Sequence, residues 1–381
     1  MNKYLPWLAL KNISGIGNIL NKRLIENFGS PENIFKASKD ELIKIKGISL
    51  NIIKNIKILN SFKKAEKDLK IIQNNGFKIV TINESLYPVL LKEIPDPPPF
   101  LIYIGTLNNT YPCISIVGSR KASFYGFNTA VKLSYDLALS GFQIVSGMAL
   151  GIDTAAHKGA IKAKKRTLAV LGSGLCKIYP RQNKKLFYEI ADNGAVISEF
   201  MVNAEPDARN FPIRNRIISG MTLGTVVVEA AKKSGSLITA RLAGEYCREV
   251  FAVPGSIDSF KSTGTHALLK QGAKLVENHI DVIEELHHMT YPEKRQESVN
   301  KKISVLKKIN LEKSDQDKLK TDKYYLAVFD ILDSYPLHID TIVEKSGLDT
   351  GGISACLLEL ELKGIVKQDH GKIFYIIKKN M

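Results

Sequence analysis

The sequence lacks closely spaced pairs of cysteines, which argues against both disulfide bonds and cysteine-bound metal ions. Its four cysteines, Cys113, Cys176, Cys247 and Cys356, stand far apart and form no C-x-x-C pair. This pattern argues against disulfides and zinc, and it is typical of a reducing compartment. The seven histidines do not stand at ligand spacing from the cysteines. We therefore expect no metal ion.

Long apolar stretches are also missing. No segment approaches the roughly 18 apolar residues of a membrane-spanning helix. The short apolar run at the N-terminus follows a single lysine and is broken by Pro6, so it makes a poor signal peptide. We expect a cytoplasmic protein without membrane contact.

Acidic residues are scarce: 38 Asp and Glu stand against 54 Lys and Arg, which gives a formal net charge of +16. Such a surplus favours a polyanionic partner, although a genome biased towards Lys, Ile and Asn gives the same composition. The 44% apolar and 24% charged content is ordinary for a globular protein. A chain of 381 residues suffices for a sizeable core and one or two small modules.

Six short apolar runs each end in glycine, proline or a polar residue, as buried strands of a parallel sheet do. The runs are 114–117, 143–145, 168–171, 195–197, 226–228 and 250–253. Helix-length stretches separate them, which predicts a Rossmann-like, doubly wound and mainly parallel sheet with helices on both faces. Ligands bind such sheets at the carboxyl ends of the strands. Here that edge carries glycines, hydroxyls and arginines, which suit phosphate.

Composition along the chain divides it into four segments. They are an N-terminal helical domain at 1–62, the Rossmann-like core at 63–290, a polar linker at 291–322 and a winged helix at 323–381. In the first segment, turns 13–17 and 45–49 share the pattern apolar-x-Gly-apolar-small. This pattern predicts a helix-hairpin-helix (SAM-like) module whose turns hold phosphate, or else plain helix caps.

The last segment has the element order of a winged helix. Its helices are predicted near Tyr324–Ser334, Ile339–Ser346 and Ile353–Lys363, and two strands turn at His370-Gly371. The third helix carries Glu359 and Glu361, which would repel a phosphate backbone. A packing or protein-contact role is therefore favoured over reading of duplex DNA.

The turns after the predicted strands form the candidate site. Gly118 lets the backbone turn and leaves N–H groups free, Ser119 adds a hydroxyl, and Arg120 adds a planar cation for phosphate oxygens. The densest cationic stretch, 209–216, contains Phe211, whose ring offers a stacking face for a base. The predicted nucleic-acid-binding residues are Gly118, Ser119, Arg120, Ser146, Gly147, Arg181, Lys184, Arg209, Phe211, Arg214, Asn215, Arg216, Lys233, Ser234, Gly235 and Ser236.

An alternative interpretation of the arginines is structural. In it, they pair with carboxylates nearby in the sequence, namely Glu199, Glu205, Asp207 and Glu229. We expect some of the arginines to form such pairs and the segment as a whole to suit a nucleic-acid strand.

No pattern indicates catalysis or a cofactor. A dinucleotide site needs G-x-G-x-x-G and a following acidic residue; Gly172-x-Gly174 and Glu199 fit half of this, but Lys177 replaces the third glycine. The chain has no G-x-x-x-x-G-K-[ST] loop, triad or metal cluster. His157 has no nucleophile or acid beside it and is interpreted as a packing or capping residue. We expect no cofactor and no catalytic residue.

The motifs, taken in order, closely resemble those of the DNA-processing protein A family (DprA, also called Smf) over nearly the whole chain. They are Gly118-Ser119-Arg120, Ser146-Gly147-x-Ala149-x-Gly151-Ile152-Asp153-x-x-Ala156-His157, Phe211-Pro212-x-Arg214-Asn215-Arg216, Ser234-Gly235-Ser236-Leu237-Ile238-Thr239-Ala240 and Val253-Pro254-Gly255.

This resemblance implies a core that binds single-stranded DNA without sequence preference and forms a homodimer. It also implies that the core helps to place the RecA recombinase on incoming strands during natural transformation, with single-strand-binding protein as a further partner. By the same resemblance, Arg120 and the basic residues around Arg181 and 209–216 line the DNA pocket.

Two other interpretations stay open. Phosphoribohydrolases resembling the lysine-decarboxylase-like group share this type of sheet and carry P-G-G-x-G-T-x-x-E. The chain keeps Gly224, Thr225 and Glu229 but lacks the P-G-G approach and places the glutamate one position late. Nucleotide hydrolysis is therefore the second interpretation, and a scaffold that binds only proteins is the third.

Overall fold

The computed structural model shows two compact units, Met1–Thr290 and Tyr291–Met381. It describes residues 2–58 and 60–290, and residues 324–376 except 326, 329–330, 333–336, 364 and 370–371. The predicted linker at 291–322 and the predicted turn at His370-Gly371 lie outside the described residues.

A nine-stranded sheet forms the centre of the first unit. Its strands are β1 Lys78–Thr81, β2 Phe100–Gly105, β3 Cys113–Gly118, β4 Gln143–Ser146, β5 Thr167–Val170, β6 Gly194–Ser198, β7 Gly224–Val228, β8 Glu249–Ala252 and β9 Lys274–Leu275. They lie in the order β1-β2-β6-β5-β4-β3-β7-β8-β9. Every neighbouring pair from β6 to β9 is parallel, whereas β1 and β2 join antiparallel. The predicted mainly parallel sheet is confirmed.

Helices cover both faces of this sheet. Those before it are α1 Leu5–Lys11, α2 Asn18–Phe28, α3 Pro31–Lys36, α4 Lys39–Ile43, α5 Leu50–Lys57 and α6 Asn60–Asn74; those of the core are α7 Val89–Glu93, α8 Phe124–Leu139, α9 Ile152–Lys162, α10 Lys184–Asn193, α11 Asn210–Gly220, α12 Gly235–Glu245, α13 Thr263–Lys270 and α14 His279–Thr290. Strand side chains alternate between the faces. Ile116 packs with α8 and α9, whereas Val117 packs with α11 and α12. None of the helices described combines the length and apolarity needed to cross a bilayer.

The direction of winding reverses beside β3. From β3 the chain proceeds through β4 and β5 to β6 on one side, and it returns as β7 on the other side of β3. The loops that follow β3 and β7 therefore diverge and leave a crevice at the carboxyl ends of these strands.

The N-terminal helices form two hairpins that contact each other. Gly15, in the first turn, has φ +91°, and a Cβ there would lie 2.9 Å from Cγ1 of Ile52 on α5. Arg23 of α2 in turn donates a 3.0 Å hydrogen bond to the carbonyl of Lys46 in the second turn. Each turn thus packs on a helix of the other hairpin. The predicted domain boundary at residue 62 falls within α6, which packs on α1.

A buried ion-pair cluster joins this helical module to the core. Arg216 of α11 is 5% exposed and forms an ion pair with Glu199, which follows β6. Its Nη1 donates to the carbonyl of Asp96 at 2.6 Å, and its Nε lies 3.3 Å from the carboxylate of the same residue. The module reaches Glu199 through Asn18 Nδ2 at 3.1 Å and Lys11 Nζ at 3.9 Å. Desolvation lowers the pKa of Lys11.

The second unit has the elements of a winged helix. A three-stranded sheet contains β10 Leu337–His338, β11 Val366–Asp369 and β12 Ile373–Ile376 in the order β10-β12-β11, and it accompanies helices α15 Ile339–Ser346 and α16 Thr350–Leu362. Helix α15 matches the prediction. Helix α16 begins before the predicted Ile353, because the side chain of Asp349 caps it by accepting a 2.7 Å hydrogen bond from the Gly352 N–H. Buried Tyr325 and Val328 lie where the first helix is predicted.

Replacing Arg216 with Ala tests the ion-pair cluster. The change leaves the buried Glu199 carboxylate without its principal cation, so we expect the free energy of unfolding to fall by about 3–5 kcal/mol. Chemical denaturation, monitored by circular dichroism, measures this loss of free energy of unfolding. Arg209→Ala is the matched control, because Arg209 is exposed and pairs with Asp207 at the surface; its unfolding midpoint should not change. Equal midpoints for Arg216→Ala and the unaltered protein would contradict the role of the cluster.

Candidate nucleic-acid interface

A cavity of about 1180 Å³ opens at the carboxyl ends of the parallel strands. It extends from Tyr179, after β5, to Phe260 and Lys261, after β8, and it passes over β4, β3 and β7. Strands lie about 4.8 Å apart, so the four spacings from β5 to β8 give the cavity a length of about 19 Å. The cavity lies at the edge where the sequence predicts the site.

The start of α12 forms the wall beside β7. Ser234 Oγ accepts a 3.4 Å hydrogen bond from the Ser236 N–H and lies 2.8 Å from Ser236 Oγ. Asn215 Nδ2 of α11 donates to the carbonyl of Gly235 at 3.2 Å, which fixes the two helices relative to each other. These residues line the cavity, so the positive end of the α12 dipole faces it.

Arg120 is an exposed cation after β3, and its guanidinium lies against an aromatic ring. Its Cζ lies 5.0 Å from the ring centroid of half-buried Phe211. The same ring lies 5.7 Å from that of Tyr179, and it packs so closely on Gly172 that a Cβ there would lie 2.8 Å from Phe211 Cδ1. The ring that the sequence predicts as a base-stacking partner therefore also positions the guanidinium of Arg120.

Arg214 lines the cavity, but it is buried. Its Nη1 donates to the carbonyl of Gly147 at 2.7 Å and to that of Val170, so one guanidinium joins the ends of β4 and β5. A Cβ at Gly147 would overlap this guanidinium. Burial lowers the pKa of Arg214 to about 10, which leaves the side chain charged at neutral pH. The wall therefore contains a fixed positive charge.

One carboxylate faces this charge. Asp153 is the acidic residue among the described side chains that line the cavity. Burial raises its pKa, while Arg214 and Arg120 act in the opposite direction. Its Oδ2 accepts a 3.3 Å hydrogen bond from the Ala149 N–H. Asp153 therefore stabilises the loop at the start of α9 through this hydrogen bond, and it adds little negative potential at the mouth of the cavity.

Five further cations line the cavity, namely Arg120, Lys121, Lys232, Lys233 and Lys261. None of the ion pairs found among the described residues involves any of them. Apolar groups such as Ile218 and Ile238 complete the walls. Unpaired cations around apolar walls suit a chain of phosphates whose bases contact the walls.

The cavity brings together most of the predicted residues. Those that line it are Gly118, Ser119, Arg120, Phe211, Arg214, Asn215, Lys233, Ser234, Gly235 and Ser236. Arg181 and Lys184 are exposed beyond Tyr179, in a 3₁₀ turn and at the start of α10, and they are not part of the lining. They remain predicted contacts for a strand that leaves the cavity past Tyr179.

The structure corrects the prediction at three positions. Ser146 is buried and donates to the carbonyl of Ile116 at 2.7 Å, and Gly147 is covered by Arg214. Arg216 is buried and pairs with the carboxylates of Asp96 and Glu199. Arg209 lies at the surface outside the lining, where its hydrogen bonds lower the pKa of Asp207 to about 2, and like Arg181 and Lys184 it remains a predicted contact. The structural interpretation of the arginines thus holds for Arg216, whereas Arg209 pairs with Asp207 at the surface.

Sequence reasoning missed several lining residues, although signals for them exist. Lys121 directly follows Arg120, and Lys232 directly precedes Lys233. Phe260 and Lys261 belong to the loop after β8, and the sequence indicates this strand exit at Pro254.

Glu229 and His157 have structural roles. The Glu229 carboxylate accepts a 2.8 Å hydrogen bond from the Ser123 N–H and bonds the Ser123 hydroxyl at the start of α8. His157 is fully buried, with Nδ1 2.7 Å from Thr167 Oγ1, and burial lowers its pKa to about 3. A neutral, enclosed imidazole matches the packing role predicted for His157.

The fold and the site together define a class of protein: a Rossmann-like core with a cationic cavity, which carries a two-hairpin helical module and a winged helix. The profile of the family described as DNA recombination-mediator protein A matches residues 78–287. Those of the DprA winged helix domain and the SAM-like helix-hairpin-helix tandem match residues 312–372 and 8–58. The chain belongs to the DNA-processing protein A family (DprA/Smf), whose members are mediators of DNA recombination.

Individual relatives agree with this assignment. Protein Smf of Synechocystis sp. is 36% identical over 96% of this chain and 96% of its own. DNA processing protein DprA of Bacillus subtilis is 41% identical over 59% of this chain and 76% of its own.

Two solved structures extend the comparison. The structure of DprA from Streptococcus pneumoniae has a TM-score of 0.61 at 35% identity and covers 75% of this chain and 98% of that one. That of DNA processing protein A from Helicobacter pylori, which concerns its single-stranded DNA binding mode, has a TM-score of 0.51 at 30% identity and covers 56% and 98%. The predicted family and fold class are confirmed.

Gly147→Ala tests the packing of Arg214. The added methyl group overlaps the buried guanidinium, and we expect the strained wall to lower the free energy of unfolding by about 1–3 kcal/mol. Gly244→Ala is the matched control, because a Cβ there would meet no atom within 4 Å on helix α12. Alanine has a higher helix propensity than glycine, so this control should leave the free energy of unfolding unchanged or raise it by up to about 1 kcal/mol. A melting temperature for Gly147→Ala as high as that of the control would contradict this packing.

Proposed function

We propose that the protein binds single-stranded DNA in the cavity without sequence preference, protects incoming strands and loads RecA onto them during natural transformation. The observation that carries the DNA-binding part is the row of cations along the strand ends, which have no ion-pair partner among the described residues. The formal net charge of +16 is consistent with it. A relative at 30% identity, from Helicobacter pylori, has a structure that concerns single-stranded DNA binding.

The chemistry of the walls favours a single strand over a duplex. Arg120, the lysines and the start of α12 offer positive groups to phosphates, while Phe211 and the aliphatic side chains offer surfaces to bases. Bases are free to make such contacts only when they are unpaired. Readers of duplex sequence instead present side chains to base edges in a groove.

The remaining parts of the proposal rest on family membership. RecA is the recombinase partner, single-strand-binding protein is a further partner, and the Rossmann-like core forms a homodimer. The assignment of the winged helix to protein contact rests instead on α16, which carries the carboxylates of Glu361 and of Glu359, the latter paired with Lys363, and carboxylates disfavour a phosphate backbone. We place the protein in the cytoplasm, where its proposed partners act.

Arg120→Ala should weaken binding to every single-stranded sequence. Loss of one phosphate contact should reduce the slope of log affinity against log salt concentration by about 0.7. Fluorescence anisotropy of labelled oligonucleotides at several salt concentrations measures both quantities. Arg241→Ala is the control, because Arg241 is an exposed arginine of α12 paired with Glu245. Unchanged affinity and slope would remove Arg120 from the site, and a preference for duplex at every salt concentration would contradict the single-strand proposal.

We further propose that the protein acts without a chemical step. The contacts of Glu229 with Ser123 support this, because they engage the carboxylate that the hydrolysis interpretation requires. Incubation with nucleoside monophosphates, followed by chromatography, is expected to show no free base. Base release that Glu229→Gln abolishes would establish the enzymatic alternative instead.

A further inference from the structure

Four large apolar side chains stand exposed beside one end of the cavity. Phe124 and Tyr125, at the start of α8, are 86% and 54% exposed, and Ile257 and Phe260, in the loop after β8, are 87% and 73% exposed. The Tyr125 hydroxyl donates a 3.1 Å hydrogen bond to the carbonyl of Pro254, which holds the two segments side by side. We call these four residues the β8-side patch.

The patch is continuous with the proposed DNA site. Phe260 itself lines the end of the cavity. In the described part of the chain, no ring of the patch stacks on another ring or on a cation. Isolated apolar residues are common on protein surfaces, but four on adjacent segments beside a binding cavity mark an interaction surface.

The charges around the patch match a polyanion. Lys261 directly follows Phe260, Lys121 lies three residues before Phe124, and both lysines line the cavity. Asp258 is the carboxylate of the loop at 256–262. Lysines beside exposed rings are the groups with which proteins hold phosphates and stack the bases of single strands. A second copy of the chain fits less well, because a two-fold contact centred here would bring the same lysines face to face.

We propose that the β8-side patch is a second subsite for single-stranded DNA, in which bases that emerge from the cavity stack on Phe260 and Phe124. This inference rests on the proposed function and extends it. The cavity length of about 19 Å corresponds to about six nucleotides at a rise of 3.4 Å, and to fewer in an extended strand. Short strands therefore fill the cavity alone, and only longer strands reach the patch.

The double variant Phe124→Ser with Ile257→Ser tests the subsite on the full chain, because these two patch residues are exposed and do not line the cavity. We expect its affinity for an oligothymidylate of about 20 nucleotides to fall tenfold or more, since stacking is worth about 1–3 kcal/mol per base. Its affinity for an oligothymidylate of about five nucleotides should not change. Both side chains are exposed, so the fold should persist, and an unchanged melting temperature verifies this.

Two matched variants separate stacking from other effects. Phe124→Tyr keeps the ring and should retain the affinity for the long strand. Leu139→Ser removes an exposed apolar side chain at the last residue of α8 and should change neither affinity. Arg120→Ala, by contrast, should weaken binding of both lengths.

The outcomes distinguish the subsite from the proposed function. Unchanged long-strand affinity in the double variant, while Arg120→Ala still weakens both lengths, overturns the subsite alone. Equal losses for both lengths also overturn it, because the replaced side chains would then act within the cavity. A change of oligomeric state in sedimentation without loss of long-strand affinity assigns the patch to a second copy of the chain. If neither length binds the unaltered protein, the proposed function and the subsite are both overturned.

Discussion

The buried guanidinium of Arg214 holds the cavity together, because it bonds the ends of two strands and also forms part of the wall. A buried cation is tolerated only where acceptors replace water, and the carbonyls of Gly147 and Val170 do so here. Helix α11 is thereby fixed over the strand ends. Two other residues of α11 then position further parts of the wall. Phe211 contacts the guanidinium of Arg120, and Asn215 forms a hydrogen bond with the start of α12.

The cations of the core have two different roles. Arg214 and Arg216 are enclosed and determine where elements lie, and their charges are balanced by carbonyls or carboxylates. Arg120 and the lysines of the cavity rim have no ion-pair partner among the described residues, so their charge is available to a ligand. A net charge alone does not make a binding site; a site requires that local carboxylates leave some cations unpaired.

The helical module shares in this arrangement through the Arg216 cluster. Asn18, the first residue of α2, donates to Glu199, so the helix start after the first hairpin turn faces a carboxylate of the core. A carboxylate at that position competes with any phosphate for the same helix end. The first turn thus serves docking of the module, and its contact is linked to α11 through Arg216.

Much of the fold could be predicted from the sequence, because it depends on local rules. Alternation of apolar runs with helix-length stretches indicated the parallel sheet, and glycines and hydroxyls at strand exits indicated its binding edge. The fates of Arg209, Arg214 and Arg216 could not be predicted in this way, although the three lie within eight residues. One is paired at the surface, one bonds carbonyls, and one is enclosed with carboxylates, because their partners come from elements far apart in the chain, such as Gly147, Asp96 and Glu199. Likewise, the sequence shows Phe260 as an ordinary loop residue, and only the hydrogen bond from Tyr125 to Pro254 shows that the loop after β8 lies beside the start of α8 with its exposed rings. The local sequence pattern determined the secondary-structure elements and the edge of the sheet at which a ligand binds. Tertiary structure decided which charges remained unpaired, because ion pairing depends on distances between side chains that are far apart in the sequence.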